Sequence, residues 1–343
     1  MRAALHRAFG GTEVLEIAEI PDPSPAPGDV LVRVRATALN RLDVLQRGGP
    51  ALLPGFTLPH VAGMDVAGEI VEVGSAVTGW DVGDRVVVNP AVQCGECASC
   101  TAGEDAFCRD VRVIGGNAAG GYAELVAVRA THVYRIPDAI SYEEAATVPT
   151  IWSTAWHGLV ATGRLRIGEW VMIHAAASGV STAAIQLAKR LGARVIATAG
   201  SERKLEFARK LGADVVVNNR DGDFVSAARE ATNGRGVDMV FDHVGPALFQ
   251  PSIFALCTRG RLVFCGATTG QDATFNLPYA YHFGISLLGA DPYSYAEFGE
   301  MLDYYWTAGF EAVIDSEYPL ERVAEAQRKM EDGDVVGKIL LQP

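Results

Sequence analysis

The chain has 343 residues, too many for one hydrophobic core and suited to about two domains. Apolar residues make up 49% and charged residues 20%, the composition of an ordinary soluble globular protein. Its 29 basic and 41 acidic side chains give a net charge of −12, which argues against nucleic acid or an anionic membrane as partner, since both need a basic face.

The opening stretch MRAALHRAFGGTEVLEIAEIP has no run of ~7–15 apolar residues behind its basic ones, as a signal peptide would. No window approaches the ~20 apolar residues of a membrane span. A cytoplasmic protein is expected, in a compartment where thiols stay reduced. Six cysteines, four of them clustered at Cys94, Cys97, Cys100 and Cys108, therefore point to metal before disulfide. Cys257 and Cys265 lie in apolar context and read as core thiols.

In chain order, the first ~135 residues read as β-rich. DVLVRVRATAL alternates apolar and polar with period two, and GEIVEVG, DRVVVNP and GYAELVAV are short strands between glycines. Near residue 140 the texture changes. SYEEAATVPTIWSTAWHGLV has helical spacing and opens with a capping box, Ser141 with Glu144 three residues on. Strands and helices then alternate through WVMIHAA, STAAIQLAKRLG, ARVIATAG, SERKLEFARKLG and ADVVVN, with VDMVFDHVG, GRLVFCGA and ISLLGA as further apolar strands. Such strands spaced by helices predict a parallel sheet covered on both faces, the doubly wound nucleotide-binding design. The tail from about residue 292 ends in GKILLQP, a strand expected to return to the first domain. The fold class is α/β.

A doubly wound sheet binds its cofactor at the turn after its first strand, where a helix N-terminus faces the pyrophosphate. Here that turn is HAAASGVSTAA, residues 174 to 184. Of the usual G-x-G-x-x-G only Gly179 remains, with Ala175, Ser178 and Ser181 at neighbouring small positions. Small residues still permit close backbone approach, and the hydroxyls can add donors to phosphate; the competing reading is a purely structural turn. The second strand ends VIATAGSERK. Ala199 and Gly200 stand where an NAD-specific site places Asp or Glu. Nothing there repels a 2′-phosphate, and Ser201, Arg203 and Lys204 can donate to it. NADP(H) is expected, with NAD as the alternative and a solvated helix start as the bland reading of the two cations.

Together these residues resemble the medium-chain dehydrogenase/reductase superfamily over the whole chain. The motifs that carry the likeness are GMDVAGEIVEVGSAVTGWDVGDRVVV, the four-cysteine lobe, IQLAKRLGARVIATAGSERKLEFARKLGAD and the final GKILL. The resemblance implies a GroES-like β-barrel catalytic domain over residues 1–149 with a zinc lobe at 94–108, a Rossmann domain over 150–291, and a return to the catalytic domain over 292–343. The active site of such proteins lies in the cleft between the two domains. It also implies cofactor contacts at Thr154, Ser178, Gly179, Val180, Ser181, Gly200, Ser201, Lys204, Val244, Gly266 and Lys338.

Zinc-dependent alcohol dehydrogenases of this superfamily hold a structural zinc on C-x2-C-x2-C-x7-C, the spacing of Cys94, Cys97, Cys100 and Cys108. Four thiolates close the coordination sphere, which suits structure and not Lewis-acid work. A ferredoxin-type cluster needs a different last spacing. Their catalytic zinc positions fall by motif on Asn40, Met64 and Thr150, none a normal zinc ligand. His60 is displaced by four residues and is expected to satisfy a loop. What remains resembles the zinc-free quinone oxidoreductase and zeta-crystallin branch, whose signature Asn and Asp match Asn40 and Asp43 in NRLDVLQRGG, with Arg47. Asp43 and Arg47, four apart, would pair on a helix, a scaffold role competing with catalysis. Most of that branch lacks the cysteine lobe, so the chain mixes two groups.

Without a Lewis acid, ketone–alcohol interconversion loses several kcal/mol of alkoxide stabilisation. A conjugated acceptor suffers less, because hydride addition spreads charge into an enolate or hydroquinone anion. NADPH-dependent reduction of an electron-poor C=C or a quinone is the expectation, with the nicotinamide near Thr154 and Asn40. Asn40 and Thr150 would orient the substrate oxygen, and Tyr279 and Tyr281 would line the cleft or simply pack. The open alternatives are a zinc-independent alcohol/carbonyl dehydrogenase, a cofactor-binding protein without turnover, and a scaffold. GISLLGA reads as the last strand of the sheet, too apolar to leave uncovered, so a homodimer or homotetramer is expected.

Overall fold

Strand β1 (Asp29–Ala38) is the spine of the N-terminal half, and its apolar alternation places it inside a seven-stranded sheet. It pairs antiparallel with β2 (Asp65–Val73) on one side and with Leu125–Arg129 on the other. The closing strand Lys338–Gln342 also runs antiparallel to it, with Leu340 opposite Ala38, so the tail does return to the first sheet. Ala38 faces Asp65 in the β1–β2 register as well. Three strand ends thereby deliver Asn40, Asp65 and Lys338 to one place. The computed structural model describes every residue except Asp221 and Asp291. By internal packing the chain divides into two units, residues 1–150 with 294–343, and residues 151–293.

The long helix expected from residue 141 is broken. Ser141 caps a short helix over Tyr142–Ala146 through the Glu144 N–H, while the Glu144 carboxylate takes the Tyr305 hydroxyl instead of closing the capping box. Pro149 cannot continue a helix but can open one, and α2 spans Pro149–Trp156 before a π-helical stretch over His157–Thr162.

The second unit is a six-stranded parallel sheet. In chain order its strands are β3 (Trp170–Ile173), β4 (Arg194–Ala199), β5 (Val215–Asn218), β6 (Val237–Asp242), β7 (Leu256–Phe264) and β8 (Ser286–Gly289). Their spatial order, β5-β4-β3-β6-β7-β8, reverses direction beside β3. Val171, Ile173, Ile196, Val240 and Phe241 are fully buried, as a sheet covered on both faces requires. Helix α3 (Gly179–Arg190) follows β3, and α4 (Glu202–Lys210) follows β4. Strand β8 is an outer edge of the sheet, and α5 (Leu277–Phe283) precedes it. No helix among the described residues is long and apolar enough to cross a membrane.

Candidate active site

Asn40 ends β1's run and caps helix α1 (Arg41–Gly48). Its backbone N–H is held by the Asp43 carboxylate at 2.8 Å, and the Tyr122 hydroxyl donates to the same Oδ2 at 2.7 Å. Burial pushes the Asp43 carboxyl up to about 6. The predicted helix is present, but the predicted Asp43–Arg47 ion pair is not. Asp43 turns back to its own helix N-terminus, a stronger demand on a buried carboxylate, and Arg47 pairs with Glu331. Asp43 is thus placed to hold Asn40, the scaffold alternative of the two.

The Asn40 side chain looks the other way, into a buried polar cluster that sequence reasoning missed. Asp65, with no exposed surface, sits at its centre. Its Oδ1 accepts from the Thr150 N–H at 2.8 Å and the Thr150 hydroxyl at 2.6 Å. Its Oδ2 accepts from Asn40 Nδ2 at 2.9 Å and from Lys338 Nζ at 2.8 Å. Lys338 also donates to Asn40 Oδ1 at 2.8 Å and to the Leu39 carbonyl at 2.7 Å. All three ammonium hydrogens are used, which leaves none for the cofactor contact expected of Lys338. Thr150 gives its one hydroxyl hydrogen to Asp65, so it cannot also donate to a substrate oxygen. Asn40 keeps a second amide hydrogen with only 3.5 Å contacts to the Ala38 carbonyl and Thr150 Oγ1, the outer limit of hydrogen bonding.

Asn40 and Thr150, two of the three predicted zinc-ligand places, are thus brought together, and Met64 immediately precedes Asp65. His60 hydrogen-bonds the Gly115 carbonyl at 3.0 Å, and burial lowers its pKa to about 4, so it serves a loop. Thr154 stands one turn beyond Thr150 on α2. Tyr279 packs edge-on against Phe254, whereas Tyr281 is 75% exposed.

At the turn after β3, Ala175 takes φ +49 where the motif usually has glycine, a strained conformation for a residue with a Cβ. Ser178 caps α3 by accepting the Ser181 N–H at 3.1 Å. The expectation that the serine hydroxyls reach phosphate is not met. Ser181 donates to the His174 carbonyl at 2.6 Å, and Ser178 lies within 3.0 Å of Ser181 Oγ, with both hydroxyls turned inward. The N–H groups of Gly179 and Val180 have no hydrogen-bond partner among the described residues, and they are the donors a pyrophosphate would meet.

At the end of β4, Gly200 and Ser201 precede α4, and the Ser201 hydroxyl has no partner among the described residues. A Cβ on Gly200 would lie 2.9 Å from Arg220 Nε. Arg220, just past β5, therefore joins Arg203 and Lys204 near this strand end, a cation that no local pattern signals. Val244 has its N–H on Asp242 and its carbonyl on Thr269. Gly266 packs against His243, with an added Cβ only 2.7 Å from the His243 carbonyl.

In the lobe, Cys94, Cys97, Cys100 and Cys108 bring their four sulfurs within 4.8 Å of one another, with 3.6–3.9 Å between neighbours. A tetrahedron with ~2.3 Å zinc–sulfur bonds has edges of about 3.8 Å, so the cage fits zinc. Gly95 at φ +83 lets the Cys97 N–H reach Cys94 Sγ at 3.3 Å, and the Cys94 N–H reaches Cys108 Sγ at 3.3 Å. Such donors steady thiolate ligands. Among the described residues no other group of three or more Cys, His, Asp and Glu side chains converges as metal ligands would. Cys257 is buried, and Cys265 is half-buried.

Residues 26–138 match the alcohol dehydrogenase GroES-like domain, and residues 179–307 match the zinc-binding dehydrogenase family. The chain is 31% identical to acryloyl-coenzyme A reductase of Metallosphaera sedula, with 97% of each chain covered. It is 26% identical to the quinone oxidoreductase of Homo sapiens, covering 99% of this chain and 97% of that one. Among solved structures it resembles an NAD-dependent alcohol dehydrogenase at 42% identity and TM-score 0.95, with both chains fully covered. It also resembles a 2-octenoyl-CoA carboxylase reductase in complex with NADP and 2-octenoyl-CoA, at 27% identity and TM-score 0.90, covering 99% of this chain and 87% of that one. A GroES-like domain joined in one chain to a doubly wound sheet of this order defines an NAD(P)-dependent oxidoreductase. The chain belongs to the medium-chain dehydrogenase/reductase superfamily, in its quinone oxidoreductase-like branch.

Proposed function

We propose that the protein reduces an electron-poor C=C or a quinone with NADPH, without a catalytic zinc. The observation that carries this reading is the Asp65–Lys338 pair with Asn40 and Thr150. The places a zinc-type relative gives to ligands hold an amide and a hydroxyl, and a buried ammonium stands among them. An alkoxide forming during alcohol–ketone interconversion needs strong localised stabilisation. An enolate spreads its charge, and one amide hydrogen from Asn40 suffices to orient its oxygen. Bound NADPH would supply the hydride to the β-carbon, and water or a side chain the proton to the α-carbon. The likenesses to an acryloyl-coenzyme A reductase and a 2-octenoyl-CoA carboxylase reductase support including conjugated thioesters in this acceptor class.

The test is NADPH oxidation with enoyl thioesters, enones, quinones and saturated aldehydes. Turnover is expected with conjugated acceptors and quinones, and turnover with the aldehydes alone would favour the alcohol/carbonyl dehydrogenase. Tight NADPH binding with no turnover would make the protein a cofactor-binding module, and no binding a scaffold.

The choice of NADPH rests on the absence of an acidic residue at Ala199 and Gly200 and on the donors Ser201, Arg203, Lys204 and Arg220. One similar structure is NAD-dependent and another holds NADP, so the strand end carries the decision. Fluorescence titration should give a lower Kd for NADPH than for NADH, with Lys204→Ala narrowing the gap by roughly tenfold, the scale of one charge-assisted hydrogen bond. NADH as the tighter ligand would sink the preference.

A homodimer, or a tetramer built from it, is part of the same reading. The outer edge of β8 pairs with no other strand among the described residues, and nearby Leu277 and Tyr281 on α5 are 63% and 75% exposed. An apolar edge of this kind invites a second copy. Light scattering at micromolar concentration should report at least twice the mass of the 36.4 kDa chain.

A further inference from the structure

His243, two residues before the Gly245 turn that follows β6, has no place in the phosphate-binding motif, yet it binds that motif's two serines. Its Nε2 lies 2.8 Å from Ser181 Oγ and 3.2 Å from Ser178 Oγ. The proton inventory fixes the direction of the closer bond. Ser181 has one hydroxyl hydrogen, and the His174 carbonyl at the end of β3 takes it at 2.6 Å. Ser181 Oγ can therefore only accept from His243, so Nε2 carries a hydrogen. The His243 backbone is packed tightly: a Cβ on Gly266, two residues past β7, would meet the His243 Cβ at 3.0 Å and its carbonyl oxygen at 2.7 Å, so glycine there makes room for His243.

These contacts replace something. In a glycine-rich turn, close packing of helix on strand needs no side-chain bonds. Here Ser178 and Ser181 stand at the small positions and Ala175 is held at φ +49, so the turn needs another restraint. The bonds run from the end of β3 through Ser181 to the loop after β6. They leave the N–H groups of Gly179 and Val180 at the helix N-terminus without a hydrogen-bond partner among the described residues.

We propose that His243 is a positioning residue of the cofactor site, which clamps the serine-substituted turn through Ser181 and Ser178 so that the Gly179 and Val180 N–H groups are preset for the pyrophosphate. The proposal rests on the reading of this turn as the dinucleotide site, but not on the choice between NADPH and NADH, because the pyrophosphate is common to both.

The experiment is titration of the full chain with NADPH, NADH and adenosine 2′-monophosphate, which lacks the pyrophosphate, together with steady-state kinetics. His243→Ala should raise the NADPH Kd and KM by roughly 10- to 50-fold while kcat falls less than threefold. Its Kd for adenosine 2′-monophosphate should stay within twofold of the wild type. Ser181→Ala, which removes the acceptor without touching the imidazole, should weaken NADPH comparably. The double variant should be little weaker than the worse single variant, since both variants break the same Ser181–His243 bond. His243→Gln, whose amide can still donate, should recover most of the affinity. Loss of NADPH and of adenosine 2′-monophosphate in equal proportion, or additive effects of the two single variants, would show a general structural role and overturn the clamp. So would NADPH affinity within twofold of the wild type in both variants. If the wild type binds NADH the more tightly, the NADPH preference falls, and the clamp must then appear in the NADH titration. A wild type that takes neither dinucleotide ends both readings.

Discussion

Lys338→Met should cost about 3–5 kcal/mol of stability, the usual penalty for removing one partner of a buried ion pair, and lower Tm by roughly 10 °C. Lys338 is 3% exposed, and it is the only cation in contact with the fully buried Asp65 among the described residues. Without it the Asp65 carboxylate keeps its hydrogen bonds from Thr150 and Asn40 but loses its counter-charge in a buried site. The variant should also lose at least tenfold in kcat, because Asn40 Oδ1 loses the ammonium that fixes the carboxamide. Adding Asp65→Asn removes the stranded charge, so the double variant should recover most of the stability. It should not recover the activity, since Asn40 is then no longer oriented. Differential scanning calorimetry and kinetics on the two variants separate these effects. Lys338 would return to the cofactor site if Lys338→Met kept wild-type Tm and merely weakened NADPH.

That cluster also marks the limit of what can be read from the chain. The parallel sheet, its helices and the catalytic barrel are written in local patterns: apolar runs, a capping serine at Ser141, glycines at strand ends. The cysteine cage is legible for the same reason, as its ligands fall between residues 94 and 108. Asp65 and Lys338 are 273 residues apart and meet only because β1 pairs with both β2 and the closing strand near Ala38. Nothing local announces that meeting, and the motif alone sends Lys338 to the cofactor. Asp43 and Arg47 show the converse error. Their spacing is right for an ion pair, but a helix N-terminus and Tyr122 compete for Asp43, and Glu331 takes Arg47. The serines of the cofactor turn have the right chemistry to face phosphate. His243, more than 60 residues on, turns them inward. Arg220 reaches Gly200 from the neighbouring strand end, a contact set by sheet order and not by spacing.

The cysteine lobe should bind one zinc per chain, and losing it should cost stability without touching the hydride-transfer step. The four sulfurs already stand at the edge lengths of a zinc tetrahedron, and two of them accept backbone N–H bonds that steady a thiolate. Four thiolates leave no open position for a substrate oxygen. Around them the chain offers little else to hold the lobe: Ala98–Thr101 is a single helical turn, and Phe107 is 67% exposed. Metal binding here would supply the order that a hydrophobic core supplies elsewhere. Cys97→Ser should therefore lower Tm by at least about 5 °C, equivalent to roughly 2 kcal/mol, or disturb assembly. The kcat of whatever stays folded should remain within twofold of the wild type. A chelator added to the wild type should act in the same sequence, with slow loss of structure and turnover falling only as structure does. Metal analysis decides the count. Two tightly held zincs per chain would mean that Asn40, Asp65 and Thr150 rearrange around a metal, and the zinc-free mechanism would be lost. Immediate, reversible chelator inhibition of a folded enzyme would overturn that mechanism from the kinetic side.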